Sequence, residues 1–459
     1  MKSGVPHGAT ELGWLPDCVY TGEKFETGLA FFADAVGRIT RFSREPADLA
    51  IARRLEGQAA LPGLVNAHSH AFHRALRGRT EREPRPRAAE ERLLERMTDE
   101  DVFDLARLAF LELLLSGITC VGEFLFLHRM PDGRPWPEVN QAGRAIVRAA
   151  HDVGIRIALL NVAVLRGDFG GGESTVPPRY RSGTVEAFLR DTEALRVAVE
   201  KEFAADEAWL GVGAGSLAQV PLDAFKALAG YARAQRMRLH AHGATTAAET
   251  QAGMAEYGRS EVGLLAEHGI VDKRFTLVDA RLLSDDDVKL LGAARAMVAV
   301  TPSSAAQLGL GVPPVEKLLA AGAGIALGTD RQVQSSLVEE ARLLEYQLRG
   351  ARGQRSGFAA DAAPALFQAA TVTGARSLGA TGGALEVGRP ADFFTVNLYD
   401  PALAGADPGT LLANVLFALE RRAIRDVWVG ARQRVANGRH AAHGPIVGRF
   451  VEAQRRIWA

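Results

Sequence analysis

The sequence predicts an α/β fold, a (β/α)8 TIM barrel that carries a small discontinuous β-sandwich domain. Three observations support this fold. Residues 61–70 are an apolar run that closes on two histidines, and helix-like and strand-like patterns alternate after it until eight strands are reached. Short strand-like pieces separated by Gly, Asp and Pro stand before and after this alternation. We therefore expect the sandwich at residues 1–60 and 381–459, the latter including a tail, and the barrel at 61–380.

The first 60 residues contain four strand-like pieces. The predicted strands are 14–21, 28–33, 37–42 and 50–55. Further along, residues 74–96 are dense in Arg, Glu and Pro. This composition favours a solvated loop and helix over a binding patch.

The predicted barrel alternates regularly between strands and helices. Its strands are 61–70, 117–124, 155–164, 210–214, 237–242, 275–278, 296–300 and 324–328. Its helices are 99–116, 141–153, 184–203, 222–235, 260–268, 285–291 and 315–321, followed by 335–349 and 360–378. After the third strand, residues 166–183 form a Gly- and Pro-rich loop, which is either a lid or binding loop or a disordered insertion.

The overall composition excludes several classes of protein. The 459 residues include 54 basic and 54 acidic side chains, so no net charge attracts nucleic acid or an anionic membrane. Cys18 and Cys120 are too few for a disulfide framework or a cysteine-built zinc site. The N-terminus lacks a hydrophobic signal core, and no apolar run reaches membrane-spanning length. We expect a soluble cytoplasmic protein that binds a small molecule and neither nucleic acid nor membrane.

Histidine and aspartate stand at the ends of three predicted strands. Because side chains alternate along a strand, His68 and His70 point the same way. A second pair, His240 and His242, ends the fifth strand, and Asp330 follows the eighth. We expect His240 to be a core residue or to support the other histidines from behind. Two imidazole-bearing strand ends and one carboxylate at the carboxyl face of a barrel are a ligand set for a divalent metal.

Taken together, these residues resemble the amidohydrolase superfamily. The resemblance rests on the run from Pro62 to His70, on His242, on Gly328-Thr-Asp330 and on the terminal turn from Gly388 to Asp392. Within the superfamily, the chain is similar to the formimidoylglutamate deiminases over almost its whole length. The motifs for this narrower likeness are His68-Ser-His-Ala-Phe72, Gly122-Glu-Phe124, the Phe169-Gly-Gly loop, Val338-Glu-Glu and Leu344-Glu-Tyr346.

The resemblance implies one divalent metal ion, usually zinc. Its ligands are expected to be His68, His70, His242 and Asp330. Neutral imidazoles and one carboxylate leave a coordination position open for water, and Asp330 is placed to accept a proton from it. Residues 155–164 contain no lysine, which argues against the two-metal variant that uses a carbamylated lysine.

Two catalytic positions depart from the family pattern. Thr245 stands where the family has the glutamate that moves a proton to the leaving nitrogen, and a hydroxyl is a poor acid or base near neutral pH. Asp279 stands where the family has a histidine. It is a catalytic carboxylate, an additional metal ligand or a hydrogen-bonded core group. Thr246 and Glu249 are other sources of a proton shuttle, although Glu249 is expected to face solvent.

The expected substrate pocket departs as well. The family run His-Ser-Leu-Arg is Gly215-Ser-Leu-Ala218 here, which removes an arginine that would pair with a substrate carboxylate. His73 replaces a glutamine and Phe126 replaces a tyrosine. We interpret His73, Phe126 and Thr245 as substrate-binding candidates. Glu123 is a further candidate, and both it and His73 have packing as the alternative role.

Two functional hypotheses remain at this point. The first is a metal-dependent hydrolase of a non-peptide carbon–nitrogen bond, in an amidine, imine or cyclic amide, with Asp330 and Asp279 as catalytic residues and a substrate other than formimidoylglutamate. The second is a catalytically silent homologue that keeps its metal to bind a ligand or partner. Retention of all four expected ligands favours the enzyme. By analogy with similar proteins, we also expect a homodimer.

Overall fold

The computed structural model describes residues 11–81, 86–171 and 176–459. Three predictions therefore fall wholly or partly outside the described residues: the N-terminus without a signal core, the arginine-rich stretch and the glycine-rich loop. Within the described ranges, no helix is both long enough and apolar enough to cross a membrane.

The N-terminal segment forms five strands and one short helix. They are β1 Leu12–Tyr20, β2 Phe25–Thr27, β3 Ala30–Ala33, β4 Ile39–Ser43, α1 Pro46–Ile51 and β5 Arg53–Pro62. The predicted strand at 50–55 is wrong in its first half, where the chain is helical. Pro46 at the start of the helix and Asp48 in its first turn favour this helix, because proline is pre-organised there and a carboxylate is stabilised by the helix dipole.

Eight parallel strands form the barrel, as predicted. They are β6 Leu64–Ser69, β7 Ile118–Leu125, β8 Arg156–Ala163, β9 Ala208–Ala214, β10 Leu239–His242, β11 Phe275–Val278, β12 Met297–Val300 and β13 Gly324–Leu327. Each strand pairs with the next in sequence. The ring closes beyond the end of β13, where Ser69 and Asp330 form a parallel bridge.

Thirteen helices surround or follow these strands in the described residues. They are α2 Pro86–Arg96, α3 Asp99–Leu114, α4 Gln141–Val153, α5 Val185–Glu202, α6 Leu222–Ala234, α7 Ala247–Tyr257, α8 Glu261–Glu267, α9 Asp285–Ala293, α10 Pro302–Gln307, α11 Val315–Ala321, α12 Leu337–Arg352, α13 Ala362–Ala369 and α14 Val372–Leu378. The sequence did not predict α7 or α10. The helix predicted at 360–378 is two helices, because Thr371 has a non-helical backbone. The solvated helix predicted near residue 90 is wrong for one face of α2, since Leu93 and Leu94 are buried.

The C-terminal segment returns to the first sheet. Its elements are β14 Phe393–Asn397, α15 Leu411–Phe417, β15 Ile424–Val429, β16 Arg432–Ala436, β17 Arg439–His440 and α16 His443–Trp458. Strand β14 pairs with β5, so both chain ends contribute to one nine-stranded mixed sheet. The predicted tail is the helix α16, which packs against α2 and α3 of the barrel.

The small sheet curls around an aromatic core. The rings of Phe31 in β3 and Phe393 in β14 lie 5.0 Å apart, although these strands are three positions apart in the sheet. In a flat sheet they would be separated by about 14 Å. The two halves of the sheet therefore face each other as the layers of a sandwich do, with Trp14 and Trp428 in the same core. We propose residues 61 and 380 as the barrel limits, since Pro62 ends β5 and Leu378 ends α14.

A buried ion pair joins the barrel to the small domain. Arg156, the first residue of β8, donates from Nε and Nη2 to the two carboxylate oxygens of Asp392, at 2.7 and 3.1 Å. Asp392 also accepts the backbone N–H of Gly430, at 2.6 Å. The side chains of Arg156 and Asp392 are 7% and 1% exposed. Removing one partner would leave the other charge buried without compensation.

We expect Arg156→Met to destabilise the protein by about 3–5 kcal/mol, because it leaves the Asp392 carboxylate buried and unpaired. The matched control is Arg38→Met, which removes a partly exposed pair with Asp206, with side chains 42% and 30% exposed, and should cost about 1 kcal/mol or less. Thermal unfolding followed by circular dichroism compares the two variants. Equal midpoints for both would show that the buried pair does not hold the domains together.

Candidate metal centre

The ends of β6, β10 and β13 bring the predicted ligands together. His68, His70 and His242 each present a ring nitrogen, and these atoms lie within 4.8 Å of one another. The Asp330 Oδ1 atom lies 3.4 Å from His68 Nε2 and 3.3 Å from His70 Nε2. Three imidazoles and one carboxylate from distant parts of the chain thus converge at the carboxyl face of the barrel.

The position of Asp330 follows from the glycine two residues before it. A Cβ atom on Gly328 would lie 2.7 Å from the Cβ of His68, so only glycine allows β6 and the end of β13 to approach this closely. The N–H of Asp330 then donates to the carbonyl of His68 at 2.9 Å, and the N–H of His70 donates to the carbonyl of Asp330 at 3.0 Å. Asp330 adopts φ 43°, in the sparsely populated left-handed region. These backbone hydrogen bonds hold it there.

Polar side chains beneath the histidines fix this closure. Thr329 Oγ1 accepts from Asn66 Nδ2 at 2.7 Å and from Gln332 Nε2 at 3.0 Å. Gln332 Nε2 also donates to Ser69 Oγ at 2.9 Å. All four side chains belong to buried residues, so the turn that carries Asp330 is held to β6 by hydrogen bonds that water does not weaken.

Glu123 holds the chain on either side of His70 and does not point into the metal centre. Its carboxyl group accepts from Ser69 Oγ at 2.5 Å and from the backbone N–H of Ala71 at 2.6 Å. Burial raises its pKa to about 8 despite these bonds. Of the two roles considered for Glu123, the structure favours support of the chain beyond His70.

Burial disfavours the charged form of His70 and His242. Together with the nearby His68, it lowers the pKa of His242 to about 3. Burial and the same neighbour also hold the pKa of His70 well below its ordinary value. Burial alone would raise the pKa of Asp330, but the imidazole rings of His68 and His70 beside its carboxylate hold it well below the usual range. Neutral imidazoles and an ionised carboxylate are the protonation states that bind a divalent metal.

The donor atoms of this cluster fit a divalent metal. In the described part of the chain, the buried atoms His68 Nδ1, His68 Nε2 and His70 Nδ1 have no hydrogen-bond partner. Buried polar atoms are almost always paired, so unpaired ring nitrogens grouped around a carboxylate indicate a bound ion. His240 differs from them because its Nε2 contacts the carbonyl of Ser377 at 3.0 Å, although its Nδ1 has no hydrogen-bond partner among the described residues. The prediction that His240 is a core residue is in agreement with this contact.

Asp279 lies at the end of β11, on the same face of the barrel. Its Oδ1 accepts from Thr301 Oγ1 at 3.1 Å and lies 3.6 Å from Arg281 Nη1. Burial raises its pKa, and the negative charge of Asp330 raises it further. Asp279 is therefore close enough to Asp330 for their charges to interact. A hydroxyl group and a guanidinium group already lie beside it.

The three substrate-binding candidates occupy different surroundings. The Phe126 ring lies 5.4 Å from the His70 ring and 6.2 Å from the His242 ring, so it covers the metal centre. The His73 ring lies 5.1 Å from His70, and its Nε2 is 3.5 Å from Glu90 Oε1. Thr245 is exposed to solvent. The structure brings Phe126 and His73 to the histidines, whereas Thr245 stands at the edge.

Glu249 is only partly exposed, so the prediction that it faces solvent is wrong in part. Although it belongs to α7, its side chain turns back toward the strand ends. Its Oε2 accepts from the N–H of Thr245 at 2.9 Å and from Thr245 Oγ1 at 3.2 Å. Its Oε1 accepts from the hydroxyl of Ser216. Position 245 has no carboxylate, but Glu249, one helical turn later, places one within hydrogen-bond distance of Thr245.

Several charged residues near the site were not predicted from the sequence. Glu90 of α2 accepts from Tyr180 Oη at 2.8 Å and lies 3.6 Å from Arg331 Nη2. Burial would raise the pKa of Glu90, but His73, Arg331 and Tyr180 lower it to about 2. Arg281 was missed as well. The one available signal was position. Arg331 directly follows Asp330, and Arg281 stands two residues after Asp279, each at the end of a strand.

Comparison with known proteins places this chain among enzymes of one family. A sequence model of the amidohydrolase family matches residues 59–439. The formimidoylglutamate deiminase of Pseudomonas aeruginosa is 35% identical over 413 residues, which cover 87% of this chain and 90% of that protein. A 5-methylthioadenosine/S-adenosylhomocysteine deaminase of Natronomonas pharaonis is 30% identical over 410 residues, which cover 84% and 87% of the two proteins.

Solved structures share the whole architecture. An amidohydrolase from Brucella melitensis superposes with a TM-score of 0.88 at 26% identity, covering 98% of this chain and 100% of that one. An adenosine deaminase from Xanthomonas campestris, solved with bound zinc, superposes with a TM-score of 0.82 at 21% identity, covering 97% and 98%. At the lower identity the likeness concerns the fold alone.

We expect His242→Ala to abolish tight metal binding, because it removes one of the three converging imidazoles. The exposed His151 on α4 provides the control, and His151→Ala should retain the metal of the native protein. Elemental analysis of the purified and dialysed proteins measures the metal per chain. Equal metal content in the His242→Ala and native proteins would place the metal elsewhere.

Proposed function

The chain belongs to the amidohydrolase family and is a hydrolase of carbon–nitrogen bonds other than peptide bonds, and we propose that it is a zinc-dependent deaminase or deiminase. Its substrate would be a small molecule that carries an amidine, an imine or a cyclic amide. The observation that carries this proposal is the convergence of His68, His70 and His242 on the Asp330 carboxylate. This arrangement supports a site for one metal ion.

The four converging side chains would hold the ion. Their ring nitrogens and one carboxylate match the ligand preference of zinc, and the adenosine deaminase from Xanthomonas campestris was solved with bound zinc. A divalent ion at this place supplies Lewis acidity, which makes water a stronger nucleophile near neutral pH. Phe124 and Phe126 pack against the histidines and limit the access of other water molecules.

Asp330 is the proposed base. Its carboxylate is ionised and lies within 3.4 Å of two ring nitrogens, so it stands where the attacking water must be deprotonated. Asp279 is the second proposed catalytic carboxylate. Because burial and the charge of Asp330 raise its pKa, it holds a proton more readily than an ordinary aspartate, and this suits it to donate a proton to the leaving nitrogen.

Glu249 offers a second route for that proton. It reaches Thr245, the position that departs from the family pattern, through two hydrogen bonds. The Thr245 hydroxyl can pass a proton between Glu249 and a substrate atom without changing its own net protonation. We therefore propose that Glu249 and Thr245 together do the work of the single carboxylate that is absent at position 245.

The surroundings of the site support a substrate other than N-formimidoyl-L-glutamate. His73 is paired with Glu90, and Phe126 presents an apolar ring beside the histidines. Residues 215–218 contain no cation. A substrate with two carboxylates would thus find fewer positive partners here than the family pattern provides.

The decisive experiment measures ammonia release by the zinc-loaded protein from a panel of small amidines, imines and lactams that includes N-formimidoyl-L-glutamate. We expect release from at least one member, less from N-formimidoyl-L-glutamate, and none with His68→Ala. If N-formimidoyl-L-glutamate gave the fastest ammonia release of the panel, the proposal of a different substrate would be overturned. A fully metal-loaded protein that turns over no member of the panel would indicate a silent homologue.

We expect Glu249→Gln to lower kcat by about 100-fold or more while the metal content stays unchanged, because the variant cannot relay a proton through Thr245. Glu256→Gln, on the same helix but paired with Arg166, is the control and should retain full activity. Steady-state kinetics on the best substrate of the panel provide the comparison. A kcat within about threefold of the native value would exclude the relay and leave Asp279 as the proton donor.

A further inference from the structure

A small cavity adjoins the metal centre between the ends of β10 and β11. Its volume is about 40 Å³, and its lining includes Leu217, Gly243, Asp279 and Arg281. Since one water requires roughly 10–15 Å³ on this measure, the cavity admits about three non-hydrogen atoms. That is the size of a carboxylate group.

Arg281 is the unusual feature of this cavity. Its side chain is only 7% exposed, and its Nη1 lies 3.6 Å from Asp279 Oδ1, beyond hydrogen-bond distance. Its Nη2 is buried and has no hydrogen-bond partner among the described residues. A buried guanidinium with an unsatisfied N–H is costly, because the charge has lost its hydration without full replacement. The described residues provide no acceptor for this N–H group of Arg281.

The other charges that face the cavity leave room for an anion beside Arg281. Burial raises the pKa of Glu261 to about 8, so this carboxyl group is mostly uncharged at neutral pH. The Glu249 carboxylate is held by Ser216 and Thr245. Arg259 lies at the rim and pairs with Glu267 at 3.0 Å. The unsatisfied N–H of Arg281 is therefore the strongest free donor in the cavity.

The guanidinium group also stands close to the reacting region. Its partner Asp279 lies at the same strand end, and its positive charge contributes to the lowered pKa of His242. A second cavity on its other side, next to Thr301 and Pro302, is only about 10 Å³ and admits at most one water. The larger cavity is the one that can accept a substrate group.

We propose that Arg281 binds a carboxylate of the substrate, so that the enzyme acts on amidines, imines or cyclic amides that bear an acid group close to the reacting carbon. This inference rests on the proposed function for its reaction, but it concerns binding alone. A planar guanidinium matches a carboxylate through parallel charge-assisted hydrogen bonds. Asp279 lies beside Arg281 at the same strand end, and its carboxyl group stays available for the leaving nitrogen.

The test measures binding of an unreactive probe to the metal-loaded protein by calorimetry. The probe is N-formyl-L-aspartate, and its neutral diamide is the comparison ligand. We expect the native protein to bind the acid about tenfold more tightly than the diamide or better, as for a hydrogen bond to a charged group. Arg281→Gln should abolish this preference, whereas Arg259→Gln, at the rim of the same cavity, should retain it.

Two results would overturn the proposal. One is that the native protein binds the acid and the diamide equally well, or binds neither. This result needs no variant, so it applies even where Arg281→Gln fails to fold. The other is an unchanged preference in a folded, metal-loaded Arg281→Gln protein. Ammonia release tests the hydrolytic function separately, because the probe has no amidine nitrogen to release as ammonia, so failure of the two proposals can be told apart.

Discussion

The contact between the end of β13 and the backbone of His68 is the constraint on which the site depends. Two successive N–H groups, of Thr329 and Asp330, donate to the His68 carbonyl, and the barrel closes at that point. The same contact places the Asp330 carboxylate between two imidazoles. Closure of the fold and assembly of the metal centre are therefore one event, and a side chain at Gly328 would prevent both.

Burial gives this arrangement its chemical character. His70 and His242 are surrounded by Phe124, Phe126 and each other, so protonating either of them places a charge in a largely apolar neighbourhood. The lone pairs therefore stay free for a metal over a wide range of pH. Folding of this site is opposed by buried ring nitrogens that have no hydrogen-bond partner among the described residues. An ion is the economical way to remove this cost.

The sequence predicted the barrel, and the side chains that it offered as metal ligands lie together in the structure, because both follow from short-range periodicity. Alternation along a strand sets His68 and His70 on one face, and a parallel barrel gathers all strand ends at one rim. It did not predict what long side chains do after they leave their own element. Glu249 turns back across Thr245, and Glu90 reaches His73 from α2. The short helix at Pro46–Ile51 was missed because its apolar residues also fit a strand.

The replacement of a family histidine by Asp279 reverses a charge, and the structure shows how the reversal is balanced. An isolated carboxylate beside Asp330 would face a like charge, which favours its protonation. Arg281 sits close enough to offset that repulsion but not close enough to complete a hydrogen bond. An incomplete pair of this kind is less stable by itself than a closed ion pair, and it is better suited to a ligand. A substrate carboxylate that supplies the missing acceptor would complete the guanidinium's hydrogen bonds while Asp279 stays available for proton transfer, so binding and catalysis would meet at one pair of residues.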